Sequence, residues 1–489
     1  MKNKKIVKYI LIGLGVLTVL GLIYYFLIFL PNQSNIKEAS VLINEAEEFI
    51  ENGNYFSAVE KYQEASEIDG RSTDAYVGLA EIYLLKNRQD NAIDILQIGI
   101  NKARNSSRVN QVLGRIYLSE GDYSKAIYFL KKSVSSDKNN DDAKFLLAQA
   151  YVGTGDLDQS ESVLDVSDND KNLYAKAKLL NAMLIGEDTK HAKGLLDDIN
   201  SSDLDDEVAD QVEFFNEVLD YIDSLDDDIK TDVYVSVMIS RAALYSGYPD
   251  LVIGLLSEYV EEYDLYWELN LYLGHAYLLK YDYENALVYL SQAYLLESDL
   301  SISARLLARA YLGDDNVSDT IKYYEKAINL AKNQNKVDTR LEYFEVLIEK
   351  EQYVRAEEQL DLLLLVDDID TDTLLIQWGD SLLDRELYSQ LEENMEKIKI
   401  NNLDDDLKAE YYYLEAGVSL GQASWDDATE AIEKAIEIDD KMAKYHLLYG
   451  RILYQSGVDI QAKVELERSV ELDLEGEVST EAQKVLDRI

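Results

Sequence analysis

The chain has 489 residues, 47% of them apolar, which permits a large core and argues against global disorder. Asp and Glu number 94 against 47 Lys and Arg, for a net charge of −47, and every acid falls after residue 31. Such a surface repels phosphate backbones and argues against nucleic acid as the partner. The absence of Cys removes disulfides, Cys-ligated zinc, iron–sulfur clusters and thiol catalysis, and three His offer little material for a multi-His metal site.

The first predicted element is apolar. Residues 9–30 carry no charge, and at 1.5 Å per residue such a helix reaches about 33 Å, enough to cross a hydrocarbon core. Lys2, Lys4, Lys5 and Lys8 precede it, whereas Lys37 and Glu38 follow and nearly cancel. The positive-inside bias therefore predicts a cytoplasmic stub at 1–8, a transmembrane helix at 9–30 and an extracytoplasmic remainder. Pro31 is expected to stop the helix, with 31–37 as a linker. A cleaved signal peptide is the competing reading, but the apolar stretch is long and PNQSN offers no small-x-small cleavage site.

From residue 36 onward the chain repeats itself. AEEFIENGNYFSAVEKYQEA (46–65), AEIYLLKNRQDNAIDILQIG (80–99) and GRIYLSEGDYSKAIYFLKKS (114–133) are offset by 34 residues, and AQAYVGTGDLDQSESVLDVS (148–167) keeps the phase. Further copies begin at 274, 308, 344, 379, 416 and 450. Each reads as two amphipathic helices joined by a turn. A first-helix slot is small in nine of ten units: Ala46, Ala80, Gly114, Ala148, Gly274, Ala308, Gly379, Ala416 and Gly450, with Phe344 the exception. A second-helix slot is usually Ala, from Ala58 to Ala462. One turn later comes a large apolar residue, from Tyr62 to Leu466, expected to fill the space between one pair and the next.

At these residues the chain resembles the tetratricopeptide repeat family. The resemblance rests on the small–Tyr spacing of Ala80…Tyr83 and Gly114…Tyr117, on the turns Gly53-Asn54-Tyr55 and Gly121-Asp122-Tyr123, and on the Ala-to-bulky spacing. It covers about 36–167 and 267–470. Two features depart from it. The proline that usually closes each unit is missing, with Gly70, Arg104, Lys138 and Asp440 in its place, and 168–266 is helical in pattern but out of phase. The resemblance implies an all-α fold, a right-handed α-solenoid of helix pairs behind the transmembrane helix. The expected organisation is repeats at 38–167, irregular helical repeats at 168–266, repeats at 267–475 and a capping helix at 476–489.

The resemblance also implies a concave face that binds a protein or an extended peptide. The slot after the small residue would line it, here Glu47, Glu81, Arg115, Gln149, His275, Arg309 and Arg451 among others. Four residues after the small one the chain is apolar, as in Ile50, Leu84, Leu118, Leu278, Leu312 and Tyr454. These either form a greasy stripe for a partner or complete the core inside each repeat. The basic clamp that some family members use for a partner's C-terminal carboxylate is absent from the first two units.

No nucleotide-binding glycine motif, HExxH or complete calcium loop occurs, and His191, His275 and His446 fall on separate predicted helices. No catalytic residue, cofactor or metal is expected. The acidic clusters read as helix caps and solvated turns, although 203–230 could attract a cationic partner. The functional expectation is a membrane-anchored scaffold for envelope or secretion assembly, with a holdase for translocated polypeptides as the alternative. The oligomeric state is not legible.

Overall fold

The computed structural model describes residues 30–51, 53–167, 169–186, 188–197, 199–226, 229–366, 369–473 and 476–489. The apolar stretch expected to span a membrane therefore lies outside the described residues, apart from Leu30. Among the described residues no helix is long and apolar enough to cross a membrane, and no strand occurs. The chain divides into two compact units, one of residues 1–112 and 372–489, the other of residues 113–371.

In the first unit, α1 (Leu30–Glu51) packs on α2 (Tyr55–Ile68), and α3 (Thr73–Leu85) on α4 (Gln89–Lys102). The expected linker at 31–37 is corrected here, because α1 runs through it. Pro31 sits in the first turn, where its missing N–H has no intrahelical partner to lose. Helix α5 (Ser106–Ser119) begins in this unit and continues into the other. After residue 371 come α20 (Thr371–Asp384) with α21 (Tyr388–Met395), α22 (Asp405–Gly421) with α23 (Trp425–Ile438), α24 (Ala443–Gln455) with α25 (Asp459–Leu472), and the terminal α26 (Glu477–Leu486).

The second unit holds α6 (Tyr123–Ser136), α7 (Asp141–Gly153), α8 (Leu157–Val163), α9 (Lys171–Leu184), α10 (Thr189–Leu196), α11 (Asp206–Ser224), α12 (Asp232–Tyr245) and α13 (Pro249–Leu256). It continues through α14 (Trp267–Leu279), α15 (Tyr283–Leu296), α16 (Ser301–Gly313), α17 (Val317–Leu330), α18 (Gln334–Glu349) and α19 (Tyr353–Leu363). The irregular region thus contains two pairs, α9/α10 and α12/α13, with α11 a single 19-residue helix between them. Lys193 on α10 ties to Asp220 and Asp223 of α11 at 2.6 and 2.7 Å, and Phe215 of α11 is fully buried. Part of the acid-rich run therefore serves internal pairing.

The repeat has a simple steric origin. All ten first-helix slots and all ten second-helix slots are buried, as are the ten bulky residues. A Cβ on Gly114, Gly274 or Gly450 would stand 2.4, 2.7 or 2.5 Å from the Cγ of Leu130, Leu290 or Leu466 in the same pair. These leucines therefore fill the crossing within a pair, and Leu290 also joins Leu306, Leu307 and Ala310 of the next pair in one buried cluster, in line with the sequence expectation. Tyr62 also reaches onward, its ring lying over Gly78 of the following pair. Each such side chain withdraws about 2 kcal/mol of apolar surface from water.

The turns obey one rule as well. At 53, 87, 121 and 155, and again at 247, 281, 315, 351, 386, 423 and 457, the backbone takes a positive φ between 54° and 83°. The next residue's N–H then bonds back to the carbonyl five residues earlier, as in Asp122 to Tyr117 at 2.9 Å and Ser424 to Ser419 at 2.9 Å. This closure satisfies carbonyls that a helix end leaves bare. Asn54, Asp122, Asp156, Asp188, Asp282 and Asn316 then cap the second helix, each side chain accepting a backbone N–H three residues on. Such caps contribute about 1 kcal/mol apiece. One missing family proline also has a reason: the Arg104 N–H donates to the Arg71 carbonyl at 3.0 Å and its guanidinium pairs with Asp69, neither of which proline could do.

Candidate functional site

The thirteen residues expected to line a binding face are Glu47, Ile50, Glu81, Leu84, Arg115, Leu118, Gln149, His275, Leu278, Arg309, Leu312, Arg451 and Tyr454. All sit on first helices of pairs, and none is fully buried. Glu47, Glu81, Arg115 and Arg309 are exposed. Ile50, Leu84, Leu118, Leu278, Leu312 and Tyr454 are half-buried, as are Gln149, His275 and Arg451. The same apolar slot is buried at Val152, Leu383 and Leu420. The stripe is therefore part surface and part core, which joins the two readings that the spacing left open.

In the first unit, three successive first helices meet around Lys444 of α24. Its Nζ lies 2.6 Å from Glu410 of α22 and 3.1 Å from Asp380 of α20, and 4.7 Å from the Tyr413 ring centroid. The Tyr445 hydroxyl donates to the second Glu410 oxygen at 2.9 Å. Burial raises the Asp380 carboxyl to about 6, although the Lys444 charge opposes this. Arg451 reaches towards Glu386 at 3.5 Å. The members of this cluster lie 34 and 64 residues apart, so no local pattern marks it.

In the second unit, Arg309 of α16 holds Glu342 of α18 in a bidentate pair at 2.5 and 2.7 Å, and the Tyr324 hydroxyl also donates to Glu342 at 2.6 Å. Burial pushes the Glu342 carboxyl up, but these donors outweigh it and hold the group below its ordinary value. His275 of α14 shares the neighbourhood. Burial first, then the charges of Arg309 and Arg305, lower it to about 4, so it stays neutral at physiological pH. The other two histidines lie elsewhere: His191 on α10, and His446 on α24 between Glu465 at 2.7 Å and the Asp440 carbonyl at 3.0 Å.

A third feature was not anticipated. The turns after α5, α12 and α14 converge with α7 and α9 on a cavity of about 290 Å³ that includes Leu118 and Gln149. The Tyr123 hydroxyl donates to Asp250 at 2.5 Å and accepts from Lys280 at 2.5 Å, and Lys280 pairs with Asp250 at 2.9 Å. Burial and the Asp250 carboxylate push the Tyr123 hydroxyl up, so it remains a donor. Sequence separations of 127 and 157 residues hid this triad. Among the described residues no group of His, Asp and Glu is arranged to hold a metal ion.

Comparison with curated protein sequences gave no match. Among solved structures the chain is similar at 13% identity to the APC/C hetero-tetramer Cut9-Hcn1, covering 93% of this chain and 97% of that one with a TM-score of 0.32. It is similar at 13% to Naa15/Naa10 bound to HypK-THB, covering 93% and 92% with a TM-score of 0.39. It is similar at 14% to yeast Tom70, covering 93% and 97% with a TM-score of 0.34. Residues 49–116 and 117–184 match the family model of the tetratricopeptide repeat, so the stretch 49–184 carries tetratricopeptide repeats.

Proposed function

We propose that the chain is a membrane-anchored, non-catalytic scaffold that binds a polypeptide partner along its first helices, in cell-envelope or secretion assembly. The observation that carries the reading is the recurring pair of slots on those helices. An exposed or half-buried polar residue is followed one turn later by a half-buried apolar one, as in Glu47/Ile50, Glu81/Leu84 and Arg309/Leu312. A lone exposed apolar residue needs no explanation, but a periodic series beside fixed polar groups suits an extended segment that offers both kinds of contact. The charge-free run at 9–30 supplies the anchor, and the flanking lysines favour an extracytoplasmic array.

In vivo crosslinking followed by mass spectrometry of the full chain tests the first part. One or a few polypeptides should be recovered reproducibly over background. Recovery of many unrelated unfolded chains would favour a holdase instead, and recovery of none would refute a scaffold. Protease protection of a C-terminal tag in intact cells tests the anchor: a cytosolic tag contradicts the proposed topology.

A further inference from the structure

The cavity in the second unit has the properties of a docking pocket. Its floor is apolar, made by Leu118, Val152, Leu180 and Leu251, of which the last three are buried. Its volume of about 290 Å³ is at the lower end for ligand sites, too small for a folded element and suited to one or two side chains. The rim is set before any ligand arrives, because the Tyr123–Asp250–Lys280 triad fastens three turns to one another. The Tyr123 ring is wedged against Gly153 at the end of α7, where a Cβ would approach it to 2.2 Å. A preformed rim lowers the ordering cost of binding.

The electrostatics of the rim select the occupant. Helices α5, α12 and α14 end there while α13 begins there, so the half charges of the helix ends partly cancel and leave a modest negative excess. Of the charged groups lining the rim, Lys280 and Asp250 neutralise each other, and the Glu120 carboxylate leaves the rim with an excess of negative charge. Gln149 lines the cavity and is half-buried, and its side-chain carboxamide has no hydrogen-bond partner among the described residues. Its carboxamide can donate to and accept from the main chain of an extended peptide.

We propose that this cavity receives an apolar side chain flanked by Lys or Arg in an extended segment of the partner polypeptide. The inference rests on the scaffold reading and names the chemistry of one part of its binding face.

The test uses the full chain in detergent micelles and an array of short peptides. Each has a central Leu, Phe or Ser flanked by Lys, Glu or Ser, and affinities are then measured by fluorescence anisotropy. Lys-flanked Leu or Phe peptides should bind at least about tenfold more tightly than their Glu-flanked or Ser-centred counterparts. Binding should weaken as salt is raised from about 50 to 500 mM. Ser119→Trp, which puts a bulky side chain at the exposed rim, should reduce affinity by about tenfold or more, and Gln149→Ala by several-fold. Val288→Ala, at an exposed second-helix position outside the cavity, should leave it unchanged. If Ser119→Trp fails to fold by circular dichroism, Gln149→Ala carries the test.

Preference for Glu flanks, equal binding by both cavity variants, or no peptide bound above the Ser-centred controls would each overturn the proposal. The scaffold reading would survive any of these if crosslinks to a partner persist at Glu47, Glu81 or Arg309, and would fall separately if they do not.

Discussion

The positive φ at one slot of eleven turns makes a sharp energetic prediction. At Gly155 the φ is 74° and a Cβ would meet nothing within 4 Å, so Gly155→Ala perturbs the backbone alone. An L-residue in this region costs roughly 1–2 kcal/mol, offset by roughly 0.5–1 kcal/mol of unfolded-chain entropy that Ala no longer loses, so the substitution should destabilise the α7/α8 turn by about 0.5–1 kcal/mol. The reverse change is available at Ala423, with φ 54°, and at Glu351 and Glu386, with φ 55° and 56°. Ala423→Gly removes the strain but adds roughly 0.5–1 kcal/mol of unfolded-chain entropy, leaving a net gain of about 0.5–1 kcal/mol. Stacked repeats open locally rather than all at once, so hydrogen-exchange mass spectrometry of the amides beside each turn is the suitable assay. Exchange should accelerate beside residue 155 in Gly155→Ala and slow beside residue 423 in Ala423→Gly. A neutral Gly155→Ala together with faster exchange in Ala423→Gly would refute the backbone argument.

Other outcomes follow from close packing and from buried charge. Gly153→Ala brings a Cβ to 2.2 Å from Tyr123, so the ring must leave Asp250, at a cost of about 1–3 kcal/mol seen as faster exchange in α6, α7 and α13. Gly194→Ala, where nothing lies within 4 Å inside α10, should instead stabilise by up to about 1 kcal/mol. Acid should act on the two units with opposite sign. Asp380 has a folded pKa raised to about 6, so its contribution to stability falls as pH rises from about 4 to 6, and Asp380→Asn should remove that slope from exchange in α20 and α24. His275 has a folded pKa lowered to about 4, so its contribution is complete above about 6.5 and is lost as pH falls towards 4. His275→Gln should flatten the response of α14 and α16.

The paired architecture was readable because sterics force small residues to recur. Wherever two helices cross as closely as at Gly114 and Leu130, a 34-residue period leaves its mark in the chain. The turn rule was half readable. Gly53, Gly121 and Gly155 announce a left-handed residue, but Tyr281, Glu351, Glu386 and Ala423 adopt the same backbone without a favourable side chain, held there by the surrounding helices. Helix α11 has the apolar period of any paired helix, so its place between two pairs, packed on both α10 and α12, is a tertiary fact. The candidate face was legible as a set of slots. What each slot does was not, since Arg309 spends its charge on Glu342 while Gln149 keeps its amide unengaged. Clusters such as Asp380–Glu410–Lys444 arise only when distant repeats are stacked.

Binding through the first helices is the central claim, and site-specific photocrosslinking tests it most directly. A benzophenone side chain would be placed in turn at Glu47, Glu81, Arg309 and Arg451, and at the exposed second-helix residues Tyr128, Val288 and Val464, which are 54%, 59% and 57% accessible. The account predicts adducts to one and the same polypeptide from the first-helix positions and none from the second-helix positions. Adducts confined to the second helices, or no adduct to any polypeptide from the first, would contradict it.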